Sequence, residues 1–257
     1  MSRKIEISTE VSGTPEEGWD AIATGPGITS WFVPMQVDER LGGEVVMDFG
    51  DFGKDTATVT AWEPPRRVVF QSGGERPLAY EWLVEARDGG SCVVRLVNSG
   101  FGDGEEWDGD FGGMTEGWKI FFGNLRLHLT HFRGQHARSI IPTLPVPGPR
   151  GAVWSALCDA LGISPTLQEG DRLDTTGDGV PRLGGTVVDA TATDMVIEYL
   201  LLLDDPVPGT AFIAVEGKAE TADEQVMASV YLYLYGPDAD SLGDDWTPWL
   251  RSHLAAG

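Results

Sequence analysis

Five carboxylates, Asp103, Glu105, Glu106, Asp108 and Asp110, crowd one short segment, and acid at that density raises the question of a metal site. An EF-hand loop needs alternating oxygen ligands, a glycine at its sixth position and a closing Glu at its twelfth. This segment does not supply that pattern. Acidic side chains also suit the first turn of a helix, whose free N–H groups and dipole favour negative charge. Helix capping therefore accounts for the same residues without a metal. His128, His131 and His136 form a second group, and His253 stands apart. His128 and His131 are three residues apart and can share a helix face. No HExxH spacing exists, and no Cys or carboxylate joins them at a ligand interval. Cys92 and Cys158 lie far apart in apolar patterns and read as buried reduced thiols. There is no Gly-x-Ser-x-Gly elbow, no P-loop and no Gly-x-Gly-x-x-Gly after a strand. No metal, nucleotide or other cofactor is expected.

The remaining candidates are aromatic. Trp31, Phe32, Phe70, Tyr80, Trp82, Trp118 and Phe122 fall where strands and a long helix would converge. Core packing takes most such rings. A curved sheet does not always close on its helix, however, and the residual space makes an apolar site for a small molecule. Trp31-Phe32 would roof this space; Trp118 and Phe122, one helical turn apart, would form its floor. Tyr80, Arg95 and Asn98 are the candidate polar groups that would orient a guest.

The elements that must position these residues are legible in outline. Lys4–Val11 alternates apolar and polar. Thr14-Pro15-Glu16-Glu17 has the order of a capping box with Pro at the first helical position, and that helix should stop in Gly25-Pro26-Gly27. A second helical turn is expected over Ile28–Val33. Strand patterns follow at Met35–Glu39, Glu44–Phe49, Thr56–Glu63, Arg67–Ser72, Leu78–Ala86 and Ser91–Asn98, separated by Gly- and Pro-rich turns. Asn98–Trp107 then leads into a run ending near Phe132. Phe111, Met114, Trp118, Phe121, Phe122, Leu125 and Leu129 make one apolar stripe along it. The expected fold is α+β, a curved antiparallel sheet gripping one long helix.

The chain has 257 residues, room for two domains. The expected boundaries are 1–137 and 138–257. The formal charge is −22, divided as −10 and −12 between these halves. With no basic tail or patch, nucleic acid and anionic membrane surfaces are excluded as expected partners. No apolar run reads as a signal peptide or a membrane span, and a cytoplasmic location is the expectation. Arg outnumbers Lys 14 to 4, a bias associated with GC-rich bacterial genomes.

The second half repeats the first in degraded form. Ile140–Pro147 reads as a Pro-rich edge strand. Trp154 matches Trp19 at an offset of 135. Thr58–Ala61 with Val68–Phe70 matches Thr186–Asp189 with Val196–Glu198 at an offset of 128. Strands are expected over Thr210–Ala219 and Gln225–Tyr235, and a closing helix from about Ser241 to Leu254, capped by Asp240 or Ser241. Arg40-Leu41-Gly42-Gly43 recurs as Arg182-Leu183-Gly184-Gly185 at a different offset, a coincidence. The expectation is a tandem duplication.

At Trp31-Phe32-Val33-Pro34, Gly42-Gly43, Trp62–Phe70, Tyr80-Glu81-Trp82 and Ser99–Gly102 through Trp118, the sequence resembles the helix-grip (START-like, SRPBCC) superfamily. Within it, residues 1–135 resemble bacterial proteins similar to the activator of heat shock protein 90 ATPase. The resemblance implies a β-α-α-β-β-β-β-β-β-α order with an apolar pocket between sheet and long helix, and a second, shorter and divergent copy after it. It implies no single activity. The leading expectation is binding of a small hydrophobic ligand, such as a polyketide, lipid or aromatic metabolite. The alternatives are a metal-free cyclase or hydrolase using the same pocket, and a chaperone-associated protein with a chaperone as its partner.

Overall fold

The structure is a computed structural model and describes residues 3–254. The chain divides between His136 and Ala137 into two compact units.

The first unit runs β1 (Arg3–Ser12), α1 (Pro15–Ala23), α2 (Gly25–Thr29), β2 (Met35–Val37), β3 (Glu44–Asp48), β4 (Lys54–Glu63), β5 (Arg67–Ser72), β6 (Ala79–Arg87), β7 (Ser91–Phe101) and α3 (Asp108–His131). Its seven strands form one antiparallel sheet in the order β1-β7-β6-β5-β4-β3-β2. The first strand thus lies beside the last, and α3 follows directly. Along β7 the residues Cys92, Val94, Leu96 and Asn98 are buried while their neighbours are half-buried, the period-2 signature of a sheet with one covered face. From α3, Trp118, Phe122, Leu125 and Leu129 bury against the sheet.

The capping box forms as its spacing predicts. Thr14 Oγ1 accepts from Glu17 N at 3.3 Å, and the Glu17 carboxylate accepts from Thr14 N at 2.8 Å. The next boundary differs from expectation. Helix α1 ends at Ala23, and Gly25-Pro26-Gly27 begins α2 instead of ending α1. Thr24 Oγ1 caps that second helix by accepting from Gly27 N at 3.0 Å, and a proline in the first turn forfeits no hydrogen bond. Gly27 is required there, since a Cβ would sit 1.9 Å from the Asp20 carbonyl.

The acidic segment meets its expectation in part: Asp108 and Asp110 lie in the first turn of α3, but no side chain caps the helix. Trp107 is the N-cap of α3, with no side-chain capping bond, after a 3-10 turn over Glu105–Trp107. Two arginines also pair with two of these acids. Arg3 pairs with Asp108 at 2.5 Å and donates to the carbonyls of Gly102 and Gly104, each at 3.0 Å. Arg76 pairs with Asp110 at 3.2 Å, donates to the Glu106 carbonyl and lies 3.7 Å over the Trp107 ring.

The second unit runs β8 (Arg138–Ile140), β9 (Thr143–Pro147), α4 (Arg150–Leu161), β10 (Arg172–Asp174), β11 (Gly184–Ala192), β12 (Val196–Asp205), β13 (Gly209–Glu216), β14 (Gln225–Leu234) and α5 (Trp246–Leu254). The order is β10-β11-β12-β13-β14, with β8 and β9 both pairing β14. Again the first extended segment pairs with the last strand. The expected Pro-rich strand is thus split into two short pieces on one edge. Helix α5 is shorter than its pattern predicts: Ala239–Ser241 forms a separate 3-10 turn, and Gly243, at φ 94°, breaks the path before Trp246.

The internal matches fall on corresponding elements. Trp19 lies on the first helix of its unit and Trp154 on the first helix of the other. Each sets its ring edge-on to a sheet ring, Trp62 at 5.0 Å and Tyr199 at 4.8 Å. Counted back from the last strand, β4 and β11 are both fourth, and β5 and β12 both third. The Arg-Leu-Gly-Gly pair does not correspond. One copy lies in the β2–β3 turn and the other leads into β11.

Candidate functional site

Helix α2 delivers Trp31 and Phe32 to the sheet, and two hydrogen bonds fix how they arrive. Trp31 Nε1 donates to the Ala21 carbonyl at 2.7 Å, and Asn124 Nδ2 of α3 donates to the Trp31 carbonyl at 3.0 Å. Trp31 is thereby turned inward and fully buried. Its ring meets Trp82 at 5.6 Å and Phe122 at 6.5 Å, both edge-on. Phe122 in turn stacks on Trp82 at 5.9 Å and 9°. Trp31 and Phe122 therefore form a solid backing layer. They are not the roof and floor that their sequence positions predict.

Phe32 and Trp118 take those roles. They stack on each other at 5.1 Å and 21°, and Phe121 stands edge-on to Phe32 at 4.6 Å. Trp118 is held from the sheet. Its Nε1 donates to Asn98 Oδ1 at 3.2 Å, while Asn98 Nδ2 donates to the Ala79 carbonyl at 3.1 Å. Buried indole N–H and amide groups thus satisfy one another, as buried polar groups must.

In front of this layer lies a cavity of ≈ 170 Å³. Phe32, Phe70, Tyr80, Trp82 and Trp118 line it, together with Phe49, Phe121, Ile28, Gly117 and the methionines Met35, Met47 and Met114. Phe70 and Tyr80 are direct cross-strand partners, as are Met35 and Met47. No carboxylate, imidazole or cationic side chain lines the cavity among the described residues. Tyr80 carries the single hydroxyl. Burial first, and the negative charge of Asp55 second, push its pKa up to about 12. It is therefore a neutral phenol at any ordinary pH, a donor and not a base.

Of the other polar candidates, Asn98 is consumed in holding Trp118. Arg95 is absent from the cavity because β7 alternates: it lies one residue from the buried Val94 and Leu96, on the opposite face, paired with Glu85 and Glu6. The three methionines, Gly117, Ile28, Phe49 and Phe121 line the cavity without having been expected there. Their signal was present, since Met114 and Phe121 stand four before and three after Trp118 on one helix face, and Met47 alternates with Val45.

The histidines do not form a centre. His128 is buried and His131 exposed, so they do not share an environment. His136 Nε2 lies 3.3 Å from Asp20 Oδ2. Cys92 and Cys158 are both buried, and burial raises both thiols. In the second unit a cleft of ≈ 550 Å³ lies at the start of α5, lined in part by Leu183, Leu234, Trp246, Arg182 and Asp244. Two of its charges are paired within the unit, Arg182 with Asp205 and Asp244 with Arg138, and Asp245 also lines it. No helix among the described residues is long and apolar enough to cross a membrane.

In the first unit the first strand beside the last, one long helix packed on the sheet and a cavity between them together decide the architecture. The first unit is a helix grip, and the second repeats its strand order with a much shorter closing helix. This is the fold that the resemblance to the SRPBCC superfamily implies. No family model matches the sequence, and no curated protein does. Solved structures similar to it include the Aha1 dimer from Colwellia psychrerythraea, at 19% identity and TM-score 0.45, covering 51% of this chain and 99% of that one. DynU16, a putative protein in the dynemicin biosynthetic locus, matches at 18% identity and TM-score 0.46, covering 98% and 94%. The di-domain ARO/CYC BexL from the BE-7585A biosynthetic pathway matches at 13% identity and TM-score 0.44, covering 99% of each. The cavity, and not these likenesses, carries the functional reading.

Proposed function

We propose that the first helix grip binds a small, uncharged, aromatic molecule in the cavity between α3 and the sheet. The observation that supports this is the cavity wall: aromatic rings and methionines, one phenol, no charge. Size narrows the class. An engineered cavity of about 150 Å³ holds benzene, so ≈ 170 Å³ suits one ring, or two fused rings that reach toward the mouth. A long polyketide or lipid would have to project out of it. The Tyr80 hydroxyl would donate to a carbonyl or hydroxyl oxygen on the guest. A carboxylate guest would find no cation and would face the nearby charge of Asp55.

Burying on the order of 250 Å² of guest surface at about 25 cal/mol per Å² supplies about 6 kcal/mol before the cost of association, which sets tens of micromolar as the tightest dissociation constant expected. The cyclase and hydrolase alternatives need a general base or nucleophile, and the wall offers neither.

The test is quenching of tryptophan fluorescence by 2-naphthol, with naphthalene-2-carboxylate as the charged comparison. Saturable quenching by 2-naphthol, at least tenfold weaker with the carboxylate, is expected. Gly117→Leu should abolish it, because a Cβ at Gly117 meets nothing within 4 Å and the longer side chain would fill the cavity without disturbing the core. An unsaturable response, or one unchanged in Gly117→Leu, removes the reading.

A further inference from the structure

The long helix is built of two unlike halves. From Trp118 to Leu129 it holds eight buried residues. From residue 108 to 117 it holds none, and that stretch contains Gly109, Gly112, Gly113 and Gly117. A Cβ added at any of these four would meet nothing within 4 Å. No close packing explains the glycines, yet each weakens the helix relative to alanine. The first turn has no side-chain cap. Thr115 Oγ1 bonds back to the Phe111 carbonyl at 2.6 Å, a contact that slightly loosens helices. This weak half lies over the cavity, contributing Met114 and Gly117 to its wall. It is held down by Phe111, edge-on to the buried Phe101 ring at 5.1 Å, and by two ion pairs near the surface, Arg3 with Asp108 and Arg76 with Asp110.

We propose that residues 108–117 are a helical lid, which opens by local unfolding to admit a ligand to the cavity and is latched by Arg3 and Arg76. Segments that gate ligands come from the low-stability end of a structure. Here the low stability is written into the sequence as unpacked glycine, and the firm half of the same helix is the hinge post. The lid deepens the binding reading and rests on it for its purpose, but its opening is measurable without any ligand.

Native-state hydrogen exchange on the full chain is the first arm. Amides of residues 112–117 should exchange through a local opening, well ahead of residues 120–131. Replacing both Gly109 and Gly113, two exposed positions off the cavity wall, with alanine should slow the lid amides roughly 4- to 25-fold, about two- to fivefold per site. Residues 120–131 should not change. Arg76→Gln should speed the lid amides, as should about 1 M NaCl, which screens exposed ion pairs. The second arm is stopped-flow association of 2-naphthol, whose rate should fall by the factor seen in exchange. Uniform protection along α3, or an alanine effect spread over the whole helix, overturns the lid. Slowed exchange with an unchanged association rate also overturns it as the entry route. If 2-naphthol does not bind at all, the binding reading fails, and the exchange arm alone decides whether the segment opens.

Discussion

His128 is a neutral imidazole set into the core near the end of α3, 2% exposed. Burial lowers its pKa to about 4; the negative charge of Asp20 opposes the shift and His136 adds to it. In the unfolded chain the same group titrates near 6.5. Between those values the unfolded state takes a proton that the native state refuses, so stability is intact above pH 6.5 and falls as pH drops toward 4. The loss is bounded at about 3 kcal/mol. Urea unfolding at several pH values checks it. His128→Asn should flatten the slope between pH 6.5 and 4 relative to the unsubstituted protein, and an identical slope in both would show that another group governs it.

At the scale of elements, the parts legible in the sequence are those whose partners lie within one turn or one hairpin. Thr14 and Glu17 satisfy each other three residues apart, so the start of α1 could be read directly. The strand ladder could be read from alternation and Gly-rich turns. The parts that could not be read were decided from afar. Trp31 and Phe32 are adjacent and equally apolar. Only the contacts of Trp31 with Ala21 and Asn124 determine which one faces the cavity. Phe121 and Phe122 differ by one step of helix rotation, and the sheet, not the helix, selects Phe122 as backing. Asp108 and Asp110 stand in the first turn of α3 as local grounds suggest, but their partners Arg3 and Arg76 arrive from β1 and the β5–β6 loop. The Gly-Pro-Gly run misled for a simpler reason: proline and glycine are as fitting at the start of a helix as after its end.

For the whole molecule, the repeated topology means that each unit closes its own sheet by pairing its first extended segment with its last strand. Each also has its own apolar interior, that of the second unit built around Trp154, Leu157, Leu201, Ile213, Val230 and Trp249. The units differ where binding is concerned. The helix that spans 24 residues in the first is reduced to nine in the second. A fragment of residues 1–136 should therefore keep the 2-naphthol response of the full chain, and a fragment of residues 137–257 should lack it. Fluorescence titration of the two, each first checked by circular dichroism for folding, decides the point. A saturable response in the second fragment would place the site elsewhere.

Three thioethers, Met35, Met47 and Met114, meet at one small chamber. Sulfur of this kind takes up oxygen readily and becomes a polar sulfoxide, a change that reductases reverse. Peroxide should accordingly silence the chamber without unfolding the protein, and a methionine sulfoxide reductase should restore it. Leucine at the three positions should leave the response indifferent to the oxidant.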